Sequence, residues 1–171
     1  MLVSGDRAAT YGYAEVESAL AKVFIGRSQN IAPLRGRLKT FQRAGLTPES
    51  PGRGRVIRYT VSDIYDWALA LALADFGLPP EAIINFVKEG YFWNDYVPMI
   101  SKLKSDSLFF CVLPFVLGEQ PTLQFQFVVM KGSKISAKSI AELGGRVAFI
   151  DLTKLKNGVD KALDAGKFRG G

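Results

Sequence analysis

The sequence predicts an α+β fold: a mostly helical N-terminal part carrying a two-stranded, Arg-rich hairpin, followed by a smaller α+β unit. Three observations predict it. Up to about residue 88, apolar residues recur at helical spacing between glycine and proline breaks. The stretch Pro48 to Tyr59 interrupts that rhythm with prolines, glycines and the alternating run Arg55-Val56-Ile57-Arg58-Tyr59. Beyond about residue 105, apolar runs of strand length appear at Leu108–Val116, Leu123–Met130 and Arg146–Ile150. The boundary is expected at about 90–105, giving residues 1–90 and 91–171 as two domains.

The elements follow in order. The first dozen residues, with Gly5 and Gly12, are expected to be frayed. Val16, Leu20, Val23 and Phe24 then mark a helix over Tyr13–Phe24, with Glu15 and Glu17 early, where a helix N-terminus favours acids. Residues 26–30 read as a turn, with Ser28 or Asn30 as the next N-cap. A second helix is expected over Ile31–Ala44, with Pro33 in its first turn and Gly45 as its C-terminal cap. At about 100° per residue, Ile31, Leu34, Leu38 and Phe41 form a buried stripe. Arg35, Lys39, Thr40 and Arg43 fan over the opposite arc around Gly36. A cationic face centred on a residue without a side chain can approach a groove closely.

Gly52-Arg53-Gly54 is placed at the tip of the two-stranded hairpin. Thr60 and Asp63 form a capping box with Asp in place of Glu. The helix they open, Val61–Phe76, is apolar almost all round and therefore central. Gly77 ends it, and Pro79-Pro80-Glu81 starts a fourth helix to about Lys88. Tyr91, Phe92, Trp93 and Tyr96 form an aromatic cluster in a stretch without basic residues, which favours packing over base stacking. A helix or helical turn is expected over Ser136–Leu143, and a closing amphipathic helix over Asp151–Ala165.

Charge bounds the function. Residues 1–60 hold ten Lys/Arg against four Asp/Glu, which is the whole formal excess of +6; residues 61–171 balance at twelve of each. So lopsided a field favours a polyanionic partner, nucleic acid first. No apolar run is long enough for a membrane helix, and the N-terminus lacks the order of a secretory signal, so a cytoplasmic, nucleoid-associated protein is expected. One cysteine, Cys111, and no histidine argue against disulfides and metal sites, and no nucleophile–base constellation is visible. No cofactor, no metal and no enzymatic activity are expected.

The ordered set Leu38, Phe41, Gly45 and Leu46, then Gly54, Arg58 and Tyr59, then Asp63, then Phe76-Gly77-Leu78 through Glu81 and Ile84 resembles the winged helix-turn-helix DNA-binding domain of MerR-type regulators. The resemblance covers about residues 15–88. It implies that the second helix enters the major groove and that the hairpin is a wing riding the phosphate backbone. Family members usually have a shorter recognition helix and a long dimerising coiled coil after the fourth helix. Here the helix extends upstream through Ala32-Pro33-Leu34, and a β-containing segment replaces the coiled coil. Drug, metal or redox sensing is therefore not carried over.

The expectation is a sequence-specific double-stranded DNA-binding transcription regulator of bacterial or phage type. Its recognition helix would span about 31–44 and its wing about 51–59. The candidate DNA-binding residues are Arg35, Arg37, Lys39, Thr40, Arg43, Arg53, Arg55, Arg58, Arg27 and Ser28. Arg58 is open to a second reading, a structural pair with Asp63, while Tyr59 is expected in the core and Asp63 at the helix cap. A homodimer is expected from the way such modules pair half-sites, with RNA polymerase or another regulator as a further partner. The rival readings are a protein-interaction adaptor and a small-molecule sensor, each with the C-terminal unit as its active part.

Overall fold

The computed structural model describes residues 9–25, 30–46, 56–88, 92–113 and 126–167. In chain order they form α1 (Tyr13–Phe24), α2 (Ala32–Arg43), α3 (Val61–Asp75), α4 (Pro80–Lys88), α5 (Phe92–Lys102), β1 (Leu108–Leu113), β2 (Gln126–Lys131), α6 (Ala137–Glu142), β3 (Ala148–Asp151) and α7 (Leu152–Lys167). The strands make one antiparallel sheet in the order β2-β1-β3. The fold is α+β.

Local chemistry sets the helix ends. The Gly12 N–H donates to the Glu15 carboxylate at 2.7 Å, starting α1. The Ala32 N–H donates to Asn30 Oδ1 at 3.2 Å, so the Asn30 side chain satisfies the first turn of α2. Gly45 closes α2 at φ 95°, with the Leu46 N–H donating to Phe41 O and the Gly45 N–H to Gln42 O. These bonds are the Schellman arrangement that a left-handed glycine permits. At α3 the Thr60 N–H donates to Asp63 Oδ2 at 2.6 Å and the Asp63 N–H to Thr60 Oγ1 at 3.2 Å, the reciprocal box the sequence implied.

Burial follows much of the apolar pattern, but Ile31, expected in the buried stripe, precedes α2 and is only half-buried, and Val56 is 71% exposed. α2 buries Leu34, Leu38 and Phe41, and α3 buries eight of its residues, Ile64, Trp67 and Leu73 among them. Phe76, expected inside, is 47% exposed, because α3 ends one residue before it. β1 lies in the middle of the sheet, its Phe110 facing Val129 on one side and Ile150 on the other, hence its unbroken apolar run. Cys111 within it is fully buried and burial pushes its thiol pKa up, so it is an inert core thiol. The expected first strand is described only to Leu113 and the second only from Gln126. β3 begins at Ala148 rather than Arg146. It runs on to Asp151, whose carboxylate accepts the Lys154 N–H at 2.8 Å and so caps α7 instead of entering it.

Of the segment expected to be frayed, residues 1–8 lie outside the described residues, and the rest differs from expectation. Tyr11 is buried and exchanges backbone hydrogen bonds of 2.8 and 2.9 Å with Tyr59, so residues 9–12 are anchored, not frayed. The strand expected over Arg55–Tyr59 reduces, among the described residues, to this single bridge, and its partner lies upstream of α1. The expected wing tip, Gly52-Arg53-Gly54, lies outside the described residues.

The buried residues form one cluster from Tyr11 to Leu163, continuous across the boundary expected at 90–105. α7 carries much of that continuity by packing on α1, α3, β1 and β3. Tyr65 of α3 donates its hydroxyl to Asp160 of α7 at 2.5 Å, and the second Asp160 oxygen accepts from Lys156 at 2.7 Å. Burial, then the bond to Asp160, raises the Tyr65 phenol pKa. Three members of the expected aromatic cluster are packing: Phe92 meets Phe86, Phe110 and Tyr96 at centroid distances of 5.5, 5.3 and 4.6 Å, and Trp93 is buried, while Tyr91 lies outside the described residues.

Asp66 on α3 gives the fold a pH dependence. Burial, helped by the nearby Asp63 carboxylate, pushes the Asp66 carboxyl up to about 7 from an ordinary value of 3.8. Between those values the folded chain holds a proton that the unfolded chain has released, so stability is full below about pH 4 and falls as pH rises to about 7. Asp66→Asn is predicted to abolish this slope, adding up to about 4 kcal/mol at pH 8 and almost nothing at pH 4. Thermal melts across pH 4–8 check it, and parallel curves for the two proteins would refute it.

Candidate nucleic-acid interface

The basic residues of α2 divide by their position around the helix. At about 100° per residue, Arg43 and Gly36 lie opposite the buried stripe, Lys39 and Thr40 flank them, and Arg35 and Arg37 border the stripe on either side. The two border arginines reach back to acids on neighbouring helices. Arg35 Nε donates to Glu17 Oε1 of α1 at 2.5 Å, and Arg37 Nη1 donates to Asp75 Oδ1 at the end of α3. Thr40 Oγ1 donates to Gly36 O at 3.1 Å, which keeps its side chain against the helix. Lys39 and Arg43 are exposed and make no ion pair among the described residues. A β-carbon on Gly36 would touch nothing within 4 Å, so the ridge between these cations is open.

Magnitudes separate what holds α2 from what aims it. Burying Leu34, Leu38 and Phe41 contributes about 1.5–3 kcal/mol each. The Arg37–Asp75 pair, half exposed on both sides, is worth at most about 1 kcal/mol. The apolar stripe therefore holds the helix, and the ion pairs fix its roll. The Arg35–Glu17 pair is the stronger one, because Glu17 is only 8% exposed and would otherwise keep a buried charge alone. Arg35→Ala is predicted to cost about 1–3 kcal/mol, and Arg35→Ala/Glu17→Gln to recover much of it. Urea unfolding of the three variants measures this, and equal losses in the single and double variants would disprove the pairing.

Five of the six acids in the described first half are engaged in local structure, Glu81 at the start of α4 being the exposed sixth. Glu15 and Asp63 cap helices, Glu17 and Asp75 hold arginines, and Asp66 binds a proton through much of the range below pH 7. Lys39, Arg43 and Arg58 make no ion pair among the described residues, though the Glu15 carboxylate lies on the same side of Gly12 as Arg58. Asp63 is committed to the Thr60 cap, so the alternative Arg58–Asp63 pair is absent, while Tyr59 is buried against Trp67 with ring centroids 6.3 Å apart. Arg58 is exposed beside the N-terminus of α1, its Nη1 3.8 Å from where a β-carbon on Gly12 would lie. Tyr13 relates this segment to α2: its phenol pKa is raised first by burial, then by Glu17 and Tyr59, and lowered by Arg35. Arg27, Ser28, Arg53 and Arg55 lie outside the described residues.

One cation escaped the sequence reading. Lys88, the last residue of α4, lies over the C-terminal end of α2, so close that a β-carbon on Gly45 would fall 2.7 Å from its Nζ. An ammonium there is favoured by the partial negative charge of the helix end. Nothing in the local sequence marks Lys88; only the packing of α4 against α2 brings it there.

Among the described residues no helix is long and apolar enough to cross a membrane. No protein-family model matches the chain, and no curated protein matches it.

Proposed function

We propose that the chain is a winged helix-turn-helix transcription regulator of MerR-like type that binds double-stranded DNA by sequence. In this reading α2 enters the major groove, Lys39 and Arg43 address base edges, and Arg58 with the arginines of the 51–59 segment meets phosphates. The observation that carries it is the exposed ridge of Lys39 and Arg43 around Gly36, turned away from the core and left without acids. Arg35 and Arg37 serve as orienting residues, held to Glu17 and Asp75. Lys88 joins the phosphate-facing set. The function is recognition, not catalysis, and pairing of two copies on two half-sites supplies affinity.

The test is the salt dependence of binding to mixed-sequence genomic duplex, followed by fluorescence anisotropy. With about five phosphates neutralised, log affinity is predicted to fall with log salt at a slope of about −4 to −5. A flat salt response, or no binding at low salt, would reject the reading.

A further inference from the structure

A groove of about 610 Å³ runs along the seam of α1 and α7, and none of its lining residues belongs to α2. Its size falls within the roughly 300–1,000 Å³ of small-molecule sites. Val23, Phe24, Leu155 and Ala162 contribute apolar surface. Lys22, Lys154 and Lys161 supply its cations. Its one acid, Asp151, already accepts the Lys154 N–H at 2.8 Å as the cap of α7. An apolar trough with surplus ammonium groups complements a ligand that is greasy along its body and negative at one end.

Gly158 strengthens the case. It lies inside the sixteen-residue α7, where glycine is less stable than alanine, and its φ is not positive. A β-carbon there would meet Val23 at 3.7 and 3.8 Å, an ordinary contact. Neither backbone conformation nor close helix packing therefore requires glycine. What its missing side chain provides is room in the groove.

The cations are also arranged unequally. Lys22 Nζ is held by Ala162 O at 3.1 Å, which leaves two of its three donors, and Lys161 precedes Ala162 on α7. Lys154 stands two turns back, about 10.5 Å along the helix. Lys22 and Lys161 thus both line the groove at the level of Ala162 along α7.

We infer that this groove binds a small amphipathic carboxylic acid, its carboxylate at Lys22 and Lys161 and its apolar body along α7 toward Leu155. A polyanion would leave the apolar surface unused, and a neutral hydrocarbon would leave the lysines unused. The site is independent of the DNA-binding reading.

Calorimetric titration of the full chain with decanoate tests it, with decyltrimethylammonium as the charge-reversed probe. One saturable site is expected for decanoate, with binding at least about ten-fold weaker for the cation. Gly158→Phe, which fills the trough, is expected to abolish decanoate binding, and Lys161→Glu, on an exposed position, to weaken it about ten-fold with an unchanged ligand-free melt. Absence of saturable binding, equal affinity for the two probes, or undiminished binding in Lys161→Glu would overturn the assignment.

Discussion

Replacing Lys39 and Arg43 together with glutamate is expected to weaken duplex DNA binding by at least about a hundred-fold, because each lost base or phosphate contact is worth about 1–3 kcal/mol and the new charges repel the backbone. The fold should not notice. Both side chains are exposed and hold no partner among the described residues, so the melting temperature should stay within about a degree of wild type. A gel-shift titration beside a thermal melt reads both quantities. Unchanged binding would remove α2 from the interface. Arg35 is the wrong residue for this purpose, since losing it strands the buried Glu17 and confuses instability with lost contact.

The second large effect is expected at Trp67. It is 1% exposed at the centre of α3 and meets the Tyr59 ring edge-on, at an interplanar angle of 78°. Trp67→Ala should cost about 3–5 kcal/mol, against a total stability of about 5–15 kcal/mol for a domain of this kind. Its effect on function should be indirect. Tyr59 is the residue through which the 56–59 segment bonds to Tyr11, so an emptied Trp67 site loosens the support of Arg58 as well as the core. Chemical denaturation checks the energy, and a loss below about 1 kcal/mol would mean that Trp67 does not organise this core.

How far the sequence reaches depends on whether the determinant is local. The ends of α1, α2 and α3 were legible because Glu15, Gly45 and the Thr60/Asp63 box act within a few residues of themselves. The buried stripe of α2 was legible for the same reason: helical periodicity needs no knowledge of the partner surface. The partners themselves were not. Nothing near Arg35 or Arg37 announces Glu17 or Asp75, which lie 18 and 38 residues away. Tyr11 looked like a frayed end because its partner, Tyr59, lies on the far side of two helices.

The C-terminal part shows the same limit. Leu152, Leu155, Val159 and Leu163 declare an amphipathic helix, but not that its apolar face closes on α1 and α3 rather than on a sheet alone. The groove between α1 and α7, like the approach of Lys88 to Gly45, exists only once that packing is formed. Charge on α2 was readable, yet the division between border arginines that orient and central cations that stay free required the neighbouring helices.

The most direct measurement is protection of guanine N7 from methylation on a bound genomic duplex, since that atom lies only in the major groove. Protected guanines with the wild-type chain, and loss of that protection in Lys39→Glu/Arg43→Glu, are the expected result. A protein that binds the duplex yet leaves every guanine N7 reactive would contradict it.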